Sequence, residues 1–100
     1  MNTLVLEVDP QVVDVSFTDD KLSIALSDGR FLLVPLSWYP RLSHATPTER
    51  NNWQLLGDGY AIEWPDLDEH IGVEGLLAGR RSGESQPSLA RWLESRSSAA

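Results

Sequence analysis

From Ser27 to Gly79 the chain leaves almost no residue idle between one turn, cap or apolar run and the next. Such spacing restricts it to short elements joined by tight connections. Upstream, Val13, Val15 and Phe17 alternate with Asp14, Ser16 and Thr18, which predicts a strand with one wet face. Asp19-Asp20 turns the chain, and Leu22, Ile24 and Leu26 alternate with Ser23 and Ala25 as a second strand. Asp28-Gly29 is a two-residue hairpin signal, because a type I′ turn needs φ > 0 at both central positions. A third strand, Phe31 to Leu36, is apolar on both faces. A tight turn would put Phe31 and Leu33 on the face of Leu26 and Ile24; a bulged turn would put Leu32 and Val34 there. Pro35 has no N–H for a ladder, so the strand ends there or lies on an edge.

The second half reads as short helices around another hairpin. Ser37 is expected to cap a helical turn over Trp38 to Ser43, with Pro40 in its first turn. Thr46-Pro47-Thr48-Glu49 has the form of a capping box with Pro at N1, opening a helix that ends near Asn52. Trp53–Leu56 and Tyr60–Trp64 flank Gly57-Asp58-Gly59, which predicts a hairpin with Tyr60, Ile62 and Trp64 on one face; Trp53–Leu56 could instead extend the helix. Pro65 stops that strand, and Ile71 to Ala78 reads as a helix closed by Gly79 at C′. Arg80 to Gln86 is a polar Gly/Ser connector, and Pro87 opens a last helical pattern carrying Leu89, Trp92 and Leu93, either docked or free. At the other end, Leu4, Leu6 and Val8 suggest a short strand stopped by Asp9-Pro10. The expectation is an α+β fold: a small, mainly antiparallel sheet of about five strands with two or three short helices. Residues 1–79 form its compact domain and 80–100 a linker and short helix or tail.

One hundred residues make one domain with a modest core, to which four Trp add large buried pieces. No apolar run approaches the ~20 residues of a membrane span. The first ten residues lack the basic start of a secretory signal, so a cytoplasmic protein is expected. There is no cysteine, which rules out disulfides, thiol catalysis and thiolate metal sites. The net charge of −7 is uneven. Residues 1–79 hold four Lys or Arg against thirteen Asp or Glu, and residues 80–100 hold four Arg against Glu84 and Glu94. An acidic body repels phosphate, so direct nucleic-acid binding is disfavoured and a basic protein partner suits it better.

Few constellations suggest chemistry. Asp66, Asp68, Glu69 and His70 are the only cluster resembling a ligand set, but their spacing fits neither an EF-hand nor H-E-x-x-H; acidic capping of the following helix explains them more simply. His44 and His70, the only histidines, lie in no nucleophile motif. Gly79 to Ser85 lacks the Gly-Lys-Ser/Thr ending of a P-loop. Trp38, Tyr39, Trp53, Tyr60 and Trp64 are mostly core by pattern, with some left for an interface beside Arg41 or Arg50.

These residues also resemble a known family. The runs S-D-G-R-x-L-x-V-P-L-S-W-Y-P-R-L from Ser27, A-T-P-x-x-R-x-N-W-x-L-x-G-x-G-Y-x-I-x-W-P-D-L-D-E-x-I from Ala45, and V-E-G-L-L-A-G from Val73 are similar to the family numbered 2442 in the domain-of-unknown-function series. The resemblance runs from about Val12 to Gly79 and on into the tail. It implies a small α+β domain and gives no catalytic residue to transfer. Some members carry a helix-turn-helix domain after this module, for which the residues following Gly79 are too few here. Others are encoded beside a small toxin-like protein, which implies an antitoxin-like or adaptor role.

The functional expectation is therefore a non-catalytic interaction module with no cofactor, binding a small basic protein through Trp38, Tyr39, Arg41, Trp64, Asp66, Asp68 and Glu69. A first alternative is a DNA-associated regulator using Arg80, Arg81, Arg91 and Arg96. A second is a small metal-dependent enzyme centred on Asp66, Asp68, Glu69 and His70. Self-association through a sheet edge or the Leu89–Trp92–Leu93 stripe is a further expectation.

Overall fold

The computed structural model describes residues 10–99, so the expected strand around Leu4–Val8 lies outside the described residues. The fold is α+β, and its strands form two antiparallel sheets rather than one. The first sheet orders β1 (Val12–Phe17), β2 (Lys21–Leu26) and β3 (Phe31–Pro35) as β1-β2-β3. The second orders β4 (Gln54–Leu56), β5 (Ala61–Trp64) and β6 (Glu69–Gly72) as β4-β5-β6. Between them lie a 3-10 turn (Leu36–Trp38), α1 (Pro40–Ser43) and α2 (Pro47–Asn51). A second 3-10 turn (Pro65–Leu67) joins β5 to β6, and α3 (Val73–Leu77) and α4 (Gln86–Ala99) follow.

Turn chemistry sets the register of the first sheet. Gly29 N–H donates to Leu26 O (3.0 Å) and Leu26 N–H to Arg30 O (2.9 Å), enclosing Ser27, Asp28 and Gly29. The loop is thus three residues with Gly29 at φ 93°, a bulged turn in place of the two-residue turn expected from Asp28-Gly29. Leu32 therefore faces Ile24 and Val34 faces Leu22, pointing to the core, while Phe31 and Leu33 point outward. A second irregularity falls in β1 between Val12 and Asp14. It buries Val12 and Val15 and leaves Val13 exposed, correcting the simple alternation read from Val13, Val15 and Phe17.

The helical segments divide differently from the sequence reading. Ser37 caps nothing, since it sits inside the first 3-10 turn; α1 starts from Tyr39 with Pro40 as its first residue. The capping box of α2 forms as expected: Glu49 N–H donates to Thr46 Oγ1 (3.1 Å), and Thr46 N–H to Glu49 Oε1 (2.9 Å). The stretch read as one helix over Ile71–Ala78 splits. Glu69–Gly72 pairs with β5 (Ile62↔Ile71, Trp64↔Glu69), and only Val73–Leu77 is helical. Gly79 does close α3, with φ 74° and its N–H on Leu76 O.

The core lies between the sheets. Val12, Leu22, Ile24, Leu26 and Val34 meet Ile62, Trp64, Leu67 and Ile71, with Leu36, Tyr39 and Leu42 closing one end. Trp64 has no exposed surface. Its ring meets Phe17 edge-on at 6.3 Å, and its Nε1–H donates to Arg50 O at 3.0 Å. The sheets also meet backbone to backbone, where Val12 N–H donates to Gly59 O (2.7 Å). Gly59 has φ 105°, and a Cβ there would run into Val12 O, so this junction needs glycine on both counts.

Candidate functional site

The acidic segment Asp66–His70 is a turn that leads into β6 rather than a helix cap. Pro65–Leu67 forms the 3-10 turn, and Asp68 follows at φ 51°, a left-handed conformation that aspartate tolerates better than most residues. Leu67 is buried and pins the turn to the core. Asp66 and Asp68 stay exposed, and Asn52 Nδ2 donates to Asp66 Oδ2 at 2.8 Å. Among the described residues no three His, Asp or Glu side chains are grouped so as to hold a metal ion. The set Asp66, Asp68, Glu69 and His70 therefore does not converge; Glu69 and His70 lie on successive, oppositely directed positions of β6.

Arg41 stands behind this turn. Its Nη1 donates to Leu67 O (2.8 Å), its Nε to Glu84 Oε1 (2.9 Å) and its Nη2 to Glu84 Oε2 (2.7 Å). Its guanidinium also lies 5.1 Å from the Trp92 ring centre. The ion pair is largely out of water, with side-chain exposures of 16% for Arg41 and 9% for Glu84. Ser88 Oγ–H donates to the same carboxylate, which these bonds hold below its ordinary pKa. Glu69 goes the other way. Burial pushes its pKa up to about 7, aided by the nearby Glu84 and Asp68 carboxylates and opposed by Arg41.

The segment after Gly79 lies clipped along this region. Tyr39 OH donates to Arg80 O (2.9 Å), Ser82 N–H donates to Trp38 O (3.0 Å), and Arg81 covers the Trp38 ring at 4.7 Å. Further on, Arg96 donates to both Glu49 oxygens (2.9 Å each) and stacks on Trp92 at 4.6 Å. That fork, with the Thr46 amide, lowers the Glu49 pKa to about 2. Of the docked or free alternatives left open for the last helix, α4 is docked.

The expected aromatic and acidic surface is thus only partly assembled. Trp64 and Tyr39 are core residues, and Trp38 is half-buried beneath Arg81. Arg41 is an internal brace. Asp66, Asp68 and Glu69 do lie together on one turn, Glu69 half-buried. Of the basic set, Arg96 is paired with Glu49, while Arg80, Arg81 and Arg91 are exposed, Arg81 lying over the Trp38 ring. Glu84 carries no signal in the sequence. It is as central as Arg41, but nothing local marks it within a Gly/Ser stretch.

In class, then, the described residues form a small α+β domain of two three-stranded antiparallel sheets sharing one core, with a C-terminal helix fastened by the Arg96–Glu49 ion pair and by Trp92. Residues 12–82 match the family described as "Protein of unknown function (DUF2442)", and the chain belongs to that family. Its fold is similar to a crystal structure of a protein of unknown function from Rhodospirillum rubrum, with 21% identity and a TM-score of 0.67, covering 79% of this chain and 98% of that one. It is also similar to the solution structure of an uncharacterized protein from Chromobacterium violaceum, with 22% identity and a TM-score of 0.63, covering 81% of this chain and 74% of that one. No functionally curated protein matches. Among the described residues no helix is long and apolar enough to cross a membrane.

Proposed function

We propose that this domain is a non-catalytic interaction module of antitoxin-like or adaptor type, which docks a small basic protein on the turn between β5 and β6. One observation carries the reading. Asp66 and Asp68 are exposed on a turn anchored by buried Leu67, outside every ion pair among the described residues, in a chain of net charge −7. Two cations of the surrounding elements are already held in ion pairs. Arg41 gives its charge to Glu84, and Arg96 gives its to Glu49. A fixed pair of carboxylates beside a half-buried Glu69 attracts a cationic surface and speeds encounter with it.

The test is affinity capture from the native cell with tagged protein, set beside an Asp66→Asn/Asp68→Asn variant. Asparagine keeps the shape and accepts the left-handed backbone at position 68, so the fold should be unchanged. A stoichiometric basic protein should be recovered, with affinity about tenfold weaker for the variant and a shallower dependence on salt. Equal capture by both proteins would sink the assignment of the turn.

A further inference from the structure

We infer that two copies of this chain pair through the edge of β3 that no strand covers among the described residues, antiparallel about a two-fold axis at Leu33, joining their first sheets into one of six strands. The proposal is independent of which partner the acidic turn takes.

The hydrogen-bond alternation defines the edge. Leu26 N–H to Arg30 O (2.9 Å) at one end, and Leu36 N–H to Asp20 O (3.0 Å) at the other, make Ile24–Leu32 and Leu22–Val34 the bonded pairs of β2 and β3. The N–H groups of Phe31 and Leu33, and the carbonyls of Phe31, Leu33 and Pro35, therefore face away from the sheet. Proteins usually guard such an edge with charge, a bulge or extreme shortness. At the opposite edge of the sheet, β1 is bulged at Val13 and tied to Gly59. β3 carries no charged residue over its five positions, in a chain that is 23% charged; its only guard is Pro35 at one end. Two of the most exposed large apolar side chains, Phe31 (68%) and Leu33 (65%), stand on its outer face.

A second copy fits this edge better than a basic protein does, because the strand offers no carboxylate and is complementary to itself. With the axis at Leu33, the two Leu33 residues exchange both backbone bonds. Each Phe31 N–H then reaches the partner's Pro35 O, so the missing proline donor falls at the ends of the ladder. On the outer face Leu33 meets its own copy and Phe31 meets Pro35; on the inner face Leu32 meets Val34. The ends also carry opposite charges, Arg30 of one copy running toward the Asp19–Asp20 turn of the other, although Arg30 already bonds its own Asp28 and Asp20 its own Lys21.

The experiment measures the mass of the full-length protein by sedimentation and light scattering over about a hundredfold range of concentration. Leu33→Lys and Leu33→Ser are run beside it. Position 33 is exposed, so at concentrations low enough for the wild type to be monomeric both should melt like it. A dimer is expected for the wild type, weakened by Leu33→Ser and weakened further, by about tenfold or more, by Leu33→Lys, which sets two ammonium groups face to face on the axis. The Leu33 amide should gain protection from hydrogen exchange as concentration rises. A monomer throughout, a dimer indifferent to Leu33→Lys, or a Leu33 amide protected equally at every concentration would each overturn the proposal. The Asp66→Asn/Asp68→Asn variant should dimerise normally, which separates this result from the fate of the acidic turn.

Discussion

The two sheets share strand number, order and antiparallel sense, yet they are built by different means. The first has strands of six, six and five residues whose inward side chains follow from alternation and one bulged turn. The second has strands of three, four and four residues, too short to hold together in water by pairing alone. Its order comes from anchoring. Trp64 is wedged against Phe17 of the first sheet and bonded to Arg50 O of α2, while Arg41 grips the Leu67 carbonyl. Ladder and pattern can specify a long-stranded sheet, whereas a short-stranded one depends on large side chains contributed to or received from its surroundings.

The most severe way to break that contrast is Trp64→Ala. Removing the ring empties the interface between the sheets and leaves the Arg50 carbonyl short of a partner. A loss of about 3–5 kcal/mol is expected in urea unfolding, as a single transition rather than as loss of the second sheet alone. Two separated transitions would show that the first sheet stands without the second.

Next in size is Arg41→Ala, which strands the Glu84 carboxylate in a nearly dry site. About 2–4 kcal/mol should be lost, together with hydrogen-exchange protection in α4. The double variant Arg41→Met/Glu84→Gln should recover part of that loss. If α4 stays protected in Arg41→Ala, its docking rests on Trp92 and Arg96 instead.

The smallest effect distinguishes the two regions by pH. Glu69, in the second sheet, has a pKa raised to about 7, so its protonated form favours the fold; that stability is present below the unfolded carboxylate range and is lost as pH rises from about 4.5 through 7. With solvent screening allowed for, about 1–2 kcal/mol is involved, and Glu69→Gln should flatten this limb of the stability profile. Glu49, on α2, has a pKa lowered to about 2, so its contribution is present above pH 4.5 and is lost as pH falls through 2. A Glu69→Gln profile superimposable on wild type between pH 4.5 and 7 would count against the burial described for that carboxylate.

The same contrast explains what could be read in advance. The first hairpin, the Thr46–Glu49 capping box and the Gly79 stop are local devices written in adjacent residues, and the structure keeps all three. β6 was not legible, because an acidic run before Ile71-Gly72-Val73-Glu74-Gly75-Leu76-Leu77 imitates a capped helix. The left-handed turn at Asp68, which redirects the chain into a strand, leaves no such mark. Of the candidate site, Asp66 and Asp68 stood out by charge density alone. The bracing role of Arg41 is not legible, since its partners Leu67 and Glu84 lie 26 and 43 residues along the chain. The pattern marks Trp64 as a core residue, but its contacts with Phe17 and the Arg50 carbonyl come from distant elements, which no periodicity reports.

The docking of α4 has a practical consequence. This fourteen-residue helix is fastened near its start, where Ser88 shares Glu84 with Arg41, and near its end, where Arg96 forks onto Glu49. A rod fixed at two points cannot swivel independently of its base. A fluorophore placed on its exposed side, at Ala90 or Glu94, should tumble with the whole domain instead of wobbling like a tag on a tether. Its anisotropy would then report directly on the size of whatever assembly the domain enters.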